Sequence, residues 1–150
     1  MISCTKRLTF AAGHRVWKHE SKCSNLHGHN YAVLLEASVH VPKVKVPTQK
    51  DLDEIGRVID FSILKKKFGR WIDENWDHGF LVHVEDVQAR RALKQVPGTK
   101  TYLLPYNPTA ENMAIFLFEI IGPRLLRGTG VALRKVTVWE TETCFAEVTR

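Results

Sequence analysis

Apolar and polar residues alternate in four segments of the chain, and this two-residue period predicts β-strands. The first segment covers residues 6–11, and the longer second one covers residues 31–41. The other two lie near the C-terminus, at residues 131–141 and 145–149. Each predicted strand has one apolar face, which indicates a sheet that is buried on one side.

Two segments between these strands repeat apolar residues every three or four positions, the spacing of an amphipathic helix. The first covers about residues 62–76, with lysines on its polar face. The second begins where Asn107 or Thr109 can cap it. Near its C-terminal end, Gly122 and Pro123 are expected to weaken or kink it.

Two further segments fit neither period. Residues 42–56 contain two prolines and several lysines, which predict a loop or a projecting hairpin. Residues 81–104 are predicted to form a partly helical piece over 84–93, then a turn at 97–98 and a short extended piece. The order strand, strand, helix, helix, strand, strand predicts one α+β domain over the whole chain. Its four-stranded antiparallel sheet would carry both helices on one face.

The composition excludes several classes of protein. The 150 residues are 44% hydrophobic and 25% charged, which is typical of a globular domain and not of a disordered chain. No apolar run approaches the ~18 residues that span a membrane, and the N-terminus does not resemble a signal peptide. Three cysteines are too few for a disulfide framework, so we expect a cytoplasmic protein. The net charge of +6 favours an anionic partner without choosing among nucleic acid, an acidic membrane and a phosphorylated small molecule.

Three histidines form the sharpest chemical feature of the sequence. His27 and His29 are two residues apart, so on an extended segment both side chains face the same side. If the first two strands form a hairpin, His14 reaches the same end of the sheet. Three imidazoles with an open coordination position indicate a catalytic zinc site. A closed structural zinc site with Cys23 as fourth ligand is an alternative, as are ordinary polar strand residues.

Other polar features are ambiguous when taken alone. Asp77 beside His78 can form a proton relay with a thiol, although such a pair is more often a helix-end charge pair. Glu140 ends a strand whose same-face neighbours are apolar. A carboxylate there suits a flat heterocycle with two adjacent N–H donors, and a solvated glutamate is the alternative. Glu111, in the first turn of the second helix, is favourable for the helix dipole.

Six short motifs occur in order along almost the whole chain: FAAGH (10–14), CSNLHGH (23–29), VIDF (58–61), DH (77–78), NPTAEN (107–112) and WET (139–141). Together they resemble the 6-pyruvoyltetrahydropterin synthase family. Residues 59–61 are most similar to its 6-carboxy-5,6,7,8-tetrahydropterin synthase branch, which feeds queuosine and other 7-deazaguanines. The resemblance implies the tunnelling fold, in which trimers form a barrel from their strands and often stack into hexamers.

The same resemblance implies roles for individual residues. Three would bind zinc: His14, His27 and His29. Cys23 would be the general base, with Asp77 and His78 completing its proton relay across a subunit interface. Glu140 would anchor the pterin. Two more would help to line its pocket: Thr109 and Glu111.

The implied reaction converts 7,8-dihydroneopterin triphosphate to 6-carboxy-5,6,7,8-tetrahydropterin with release of acetaldehyde and triphosphate. The pyruvoyl branch removes only triphosphate and uses the same residues, so it remains an alternative. A further branch has glutamate in place of the cysteine, and Cys23 argues against it. Segments 42–56 and 81–104 look longer than in compact family members, which leaves the pocket rim and the assembly open.

Two alternatives lie outside catalysis. One is a family member that acts only as a subunit, although every expected site residue is present. The other is a basic zinc-containing nucleic-acid-binding module, which the charge and the Cys/His cluster suggest. Against it, the basic residues are not concentrated on one helix or arm, and the ligand spacing matches no zinc-finger pattern.

Overall fold

One sheet of six strands, in the order β4-β3-β1-β2-β5-β6, organises the chain. The computed structural model describes residues 2–39 and 46–150. The strand bounds are β1 Ser3–His14, β2 His27–Val39, β3 Gly79–His83, β4 Thr101–Leu104, β5 Val131–Trp139 and β6 Phe145–Thr149. Strands β1, β2, β5 and β6 pair antiparallel, whereas β3 runs parallel to both β1 and β4.

Two long helical runs and one short helix connect the strands. The first run consists of α1 (Phe61–Leu64), a π-helical segment (Lys65–Gly69) and α2 (Arg70–Asn75). The short helix is α3 (Val87–Lys94). The second run consists of α4 (Ala110–Phe116), a π-helical segment (Leu117–Ile121) and α5 (Gly122–Leu125). In the described parts of the chain, no helix has the length and hydrophobicity needed to cross a bilayer.

Side-chain caps fix where the helical runs begin. The Asp60 carboxylate accepts a hydrogen bond from the Ser62 N–H, and the Thr109 hydroxyl accepts one from the Asn112 N–H. Each cap satisfies a backbone donor that the first turn leaves free. Thr109 is therefore the cap of the second run, one of the two residues that the sequence allowed. Gly122 and Pro123, where we expected the helix to weaken or kink, directly follow the π-helical segment. The run does not end there, since α5 continues to Leu125.

The main core lies between the sheet and the two long helical runs. Strand residues such as Val33 and Val136 pack there with Phe68 and Met113, and all four are fully buried. Burying a large apolar side chain stabilises the fold by about 1.5–3 kcal/mol, so this layer contributes most of the stability. The prediction of two helices on one face is thus confirmed.

The predicted four-stranded antiparallel sheet is wrong in two respects. The observed sheet has six strands, because residues 79–104 add β3 and β4 at the β1 edge. It is mixed, because these strands pair parallel. The helix predicted over 84–93 is present as α3, and it packs on the opposite face of the sheet in a second small cluster with Val82. The extended piece after the turn at 97–98 is β4.

The other predicted strands are present, with boundaries that agree only in part. Strand β1 extends three residues beyond its prediction at each end. Strand β6 matches its prediction, and β5 ends two residues earlier than predicted. Strand β2 begins four residues earlier than expected, so that His27 and His29 lie within it. The predicted end of that strand and the start of the predicted loop, residues 40–45, lie outside the described residues. The rest of that loop carries one short 3-10 turn, Gln49–Asp51.

Candidate active site

The pairing of β1 with β2 brings the three histidines together. His14 is the direct cross-strand partner of His27, and Ala12 is the partner of His29. Since residues two apart on a strand share a face, all three imidazoles point to the same side. Their ligand nitrogens lie within 4.8 Å of one another, with 3.1 Å between the Nε2 atoms of His14 and His27. The predicted hairpin geometry is confirmed.

Backbone carbonyls orient two of these rings. The Nδ1 of His14 lies 2.7 Å from the carbonyl oxygen of Pro108, and the Nδ1 of His27 lies 2.8 Å from that of Asn25. A carbonyl only accepts, so each Nδ1 carries the proton and each Nε2 keeps a free lone pair. Such a second hydrogen bond fixes the tautomer of a metal-binding histidine. The donor set therefore fits a metal ion that prefers nitrogen ligands.

Burial disfavours the charged forms of His14 and His29. Desolvation lowers the pKa of His14 to about 4. The hydrogen bond to the Pro108 carbonyl opposes this shift, and the neighbouring His27 and His29 add to it. Desolvation also lowers the pKa of His29, although the Glu140 carboxylate opposes this shift. A metal binds the neutral ring, so a low pKa keeps the ligands competent at neutral pH.

Cys23 is not part of the compact ligand group. Within the described residues this group contains the three histidines alone. Cys23 lies in the 3-10 turn Lys22–Ser24, partly buried, on the segment that joins β1 to β2. This arrangement favours the three-histidine site, with a position left for substrate, over the closed structural site.

Glu140 faces the histidine cluster. It directly follows β5, and its N–H donates to the Cys144 carbonyl at 3.0 Å, which closes the turn into β6. Its Oε1 lies 3.5 Å from the Nε2 of His14 and 3.8 Å from the Nε2 of His29. The side chain of Glu140 is 27% exposed.

One cavity of about 220 Å³ joins most of the predicted site residues. Its walls include five of them: His14, Cys23, Thr109, Glu111 and Glu140. Thr109 and Glu111 are held there by the capped start of α4. A thiol, a carboxylate and a histidine ligand thus share one concave surface, the arrangement expected for a small-molecule site.

Asp77 and His78 lie elsewhere. The Nδ1 of His78 is 2.7 Å from the Asp77 carboxylate, whose other oxygen accepts from the Ala11 N–H at 2.9 Å. Burial acts to raise the pKa of Asp77, but the hydrogen bonds from Ala11 and His78 hold it below its ordinary value. His78 is 81% exposed and borders a second concave surface, which His27 and His29 also line. Neither Asp77 nor His78 lines the cavity that contains Cys23.

The sequence interpretation missed Tyr31. Its ring is 1% exposed, stacks on Phe10 at 5.1 Å and lies edge-on to His14 and His29. Desolvation and the adjacent Glu140 carboxylate raise the pKa of its phenol. The hydroxyl lacks a well-aligned partner among the described residues, although it lies beside Glu140. The available signal was its position two residues after His29, on the same strand face.

Gly28 permits the close approach of the two strands that carry the ligands. A Cβ atom there would lie 2.9 Å from the backbone oxygen of Ala12, which cannot move without shifting β1. We expect Gly28→Ala to lower the free energy of unfolding by about 1–3 kcal/mol, as overpacking does. In this variant the added methyl group would push β2 away from β1 between His27 and His29, so the affinity for a metal should also fall.

Metal titration and thermal denaturation of both proteins measure these effects. Gly128→Ala is the matched control, since Gly128 has a φ of +77° and open space around it. It should lose stability through backbone strain alone and keep its metal affinity. Equal metal affinity in Gly28→Ala and the wild type would contradict the packing argument.

Fold and site together define an enzyme of pterin metabolism. The family model described as 6-pyruvoyl tetrahydropterin synthase matches residues 3–150, so the chain belongs to this family and is a lyase. This membership favours an enzyme over a nucleic-acid-binding module.

Two curated relatives carry the name 6-carboxy-5,6,7,8-tetrahydropterin synthase. The protein from Rickettsia felis is 39% identical over 148 residues, which are 99% of this chain and 100% of the relative. The protein from Haemophilus influenzae is 32% identical over 149 aligned positions, and the alignment covers 98% of this chain and 98% of the relative.

Two solved structures share the fold. An uncharacterized protein from Wolinella succinogenes superimposes with a TM-score of 0.74 at 23% identity, covering 99% of this chain and 98% of that one. The 6-pyruvoyl tetrahydropterin synthase of Caenorhabditis elegans gives a TM-score of 0.64 at 24% identity, covering 99% and 95%.

Proposed function

We propose that this protein is a zinc-dependent 6-carboxy-5,6,7,8-tetrahydropterin synthase that acts in queuosine and 7-deazaguanine biosynthesis. Its substrates would be 7,8-dihydroneopterin triphosphate and one water molecule, and it would release acetaldehyde and triphosphate beside the carboxytetrahydropterin. The observation that carries the proposal is the cavity shared by His14, Cys23 and Glu140. The full-length relatives of that name favour the carboxy product over the pyruvoyl product.

Glu140 would anchor the pterin. A carboxylate accepts two side-by-side hydrogen bonds, which match a ring N–H and the adjacent exocyclic amine of a pterin. Its distance from the His14 and His29 nitrogens would place the bound ring next to the metal position. Thr109 and Glu111, on the same cavity wall, would contact the substrate from the helix side.

His14, His27 and His29 would hold zinc. When bound there, zinc supplies Lewis acidity that lowers the pKa of a coordinated hydroxyl group. Cys23 would then transfer protons at the side chain of the substrate as the general base. Such proton transfers need no redox cofactor.

The relay would be completed by a second copy of the chain. Asp77 and His78 are hydrogen-bonded to each other, His78 is exposed, and neither residue lines the cavity that contains Cys23. The sheet also has unpaired edges among the described residues, at β6 and along the part of β1 that β3 does not cover. Pairing of such edges between copies would form a closed barrel and remove them. We therefore propose a homotrimer or homohexamer with its active sites between subunits.

Product analysis tests the proposed reaction. The zinc-loaded protein is incubated with 7,8-dihydroneopterin triphosphate, and the products are identified by mass spectrometry. Carboxytetrahydropterin with an equivalent of acetaldehyde is the expected result. A pyruvoyl product without acetaldehyde would assign the sister reaction, and no turnover by metal-loaded protein would contradict both.

Replacing Glu140 should weaken pterin binding and leave the metal in place. In Glu140→Gln the amide presents a donor toward one of the pterin N–H groups, so one charge-assisted hydrogen bond is lost. Such a bond is worth about 1.5–3 kcal/mol, which predicts a KM higher by about 10- to 100-fold. Steady-state kinetics and zinc analysis measure both effects.

Glu142→Gln is the matched control for this substitution. Glu142 lies in the same turn, is exposed, and does not line the cavity. Its KM should equal that of the wild type. An unchanged KM in Glu140→Gln would mean that another group anchors the ring.

A further inference from the structure

The segment that carries Cys23 needs an external support. Residues 15–26 connect β1 to β2, and their only regular element is the 3-10 turn Lys22–Ser24. Across the base of this segment, the Val16 N–H donates to the Cys23 carbonyl at 2.8 Å. Cys23 is thus tied to Val16, and the position of its thiol depends on what holds the residues around Val16.

The side chain of Asn107 holds the next residue, Trp17. Its Oδ1 accepts from the Trp17 N–H at 2.8 Å, and its Nδ2 donates to the Trp17 carbonyl at 3.0 Å. One amide therefore satisfies both backbone groups of a residue that is 90 positions away in sequence. This is the pairing that a neighbouring strand would otherwise provide.

The turn that carries Asn107 is itself fixed. The Asn107 carbonyl accepts from the Asn112 side chain at 2.9 Å and from the Thr109 N–H at 2.8 Å. The carbonyl of the next residue, Pro108, accepts from the Nδ1 of His14 at 2.7 Å. A single turn thus holds a metal ligand through its backbone and the Cys23 segment through the Asn107 side chain.

A buried ion pair supports the segment from its other side. Arg15 donates to both oxygens of the fully buried Asp86, at 2.5 and 2.7 Å. It also lies 3.5 Å from the Ser24 carbonyl, next to Cys23. This pair ties the segment to α3, which Asp86 caps. The Cys23 segment is joined to the histidine cluster by the chain itself, at His14 and His27, and by the Asn25 carbonyl. Residues 107–108 add a cross-link from outside the segment.

We propose that Asn107 is a positioning residue that sets the place of the Cys23 thiol relative to the metal site. The proposal rests on the role of Cys23 in the proposed function. Removing the side chain leaves the Pro108 carbonyl, the Thr109 cap and the histidine cluster in place. Metal binding and substrate binding therefore persist, and the proton-transfer step slows because the base is displaced. Small displacements of a reacting group reduce rates by up to about 100-fold.

The test compares Asn107→Ala, Asn107→Asp and the wild type by three readouts. They are the zinc content, the kcat and KM for 7,8-dihydroneopterin triphosphate, and the rate at which iodoacetamide alkylates Cys23. Peptide mass spectrometry measures this rate on zinc-free protein, relative to the exposed Cys144 as internal reference. Thr129→Ala is the control. It removes two side-chain-to-backbone hydrogen bonds outside the cavity, since the Thr129 hydroxyl donates to the Leu126 carbonyl and accepts from the Val131 N–H at the start of β5.

For Asn107→Ala we expect full zinc content, a kcat lower by about 10- to 100-fold and a nearly unchanged KM. The Cys23-to-Cys144 alkylation ratio should rise, because the segment opens more often. Asn107→Asp keeps the acceptor for the Trp17 N–H and should be intermediate in both kcat and the alkylation ratio. If Asn107→Ala does not fold, the aspartate variant provides the test. Thr129→Ala should match the wild type.

A wild-type alkylation ratio or kcat in a folded Asn107 variant would overturn the proposal. Loss of zinc together with kcat would also overturn it, since Asn107 would then act through His14. The alkylation ratio needs no substrate. If wild-type protein shows no turnover, the proposed function fails while this ratio still decides the role of Asn107.

Discussion

Cys23→Ala should abolish turnover while the protein keeps its zinc, its fold and its assembly. The three histidines supply the compact ligand group without Cys23, so removal of the thiol leaves the metal site whole. The general base, however, is lost. Positioned bases contribute about 10²- to 10⁴-fold, which sets the expected loss in kcat.

Single-turnover kinetics and zinc analysis on the same preparation measure this prediction. Cys4→Ala is the matched control, because Cys4 lies near the far end of β1, opposite Ala37, and away from the cavity. It should keep its kcat. If Cys23→Ala instead lost its zinc, Cys23 would be a ligand and its assignment as base would be wrong.

The sequence predicted the histidine cluster because its geometry is local. The two-residue spacing of His27 and His29 determines a shared face on any extended strand. His14 could be added because two consecutive strands usually pair as a hairpin. The groups that orient the histidine rings could not be predicted in this way. The rings of His14 and His27 are oriented by carbonyls of Pro108 and Asn25, and backbone groups leave no residue-type signal in a sequence.

The missed strand β3 has a physical reason of its own. Leu81 packs into the main core, whereas its neighbour Val82 packs into the second cluster under α3. Both faces of β3 are therefore covered, as in parallel sheets generally. In the sequence, such a strand is a short continuous apolar run and lacks the alternation by which the other four strands were predicted. The parallel β3–α3–β4 unit was consequently interpreted as an irregular segment with one helix.

Mixing two inactive variants should restore activity. Cys23→Ala retains Asp77 and His78, and His78→Ala retains Cys23, so each homo-oligomer lacks one half of the relay. Neither Asp77 nor His78 lines the cavity that contains Cys23, so we expect each site to take its two halves from two copies. In randomly mixed rings, about one quarter of the sites combine an intact thiol with an intact histidine. Activity should therefore rise from near zero to about a quarter of the wild-type value.

The experiment dissociates both variants in mild denaturant, reassembles them at a 1:1 ratio, and compares turnover with that of each variant treated alone. Mixed rings are verified by native mass spectrometry with one variant isotopically labelled. Recovery can come only from a site shared between subunits, since neither chain carries a complete relay. Mixed rings that stay inactive, beside wild-type protein that survives the same treatment, would mean that Cys23 acts without the histidine of a neighbour. Asp77 and His78 would then have a structural role at the end of the first helical run, where Asp77 already accepts the Ala11 N–H.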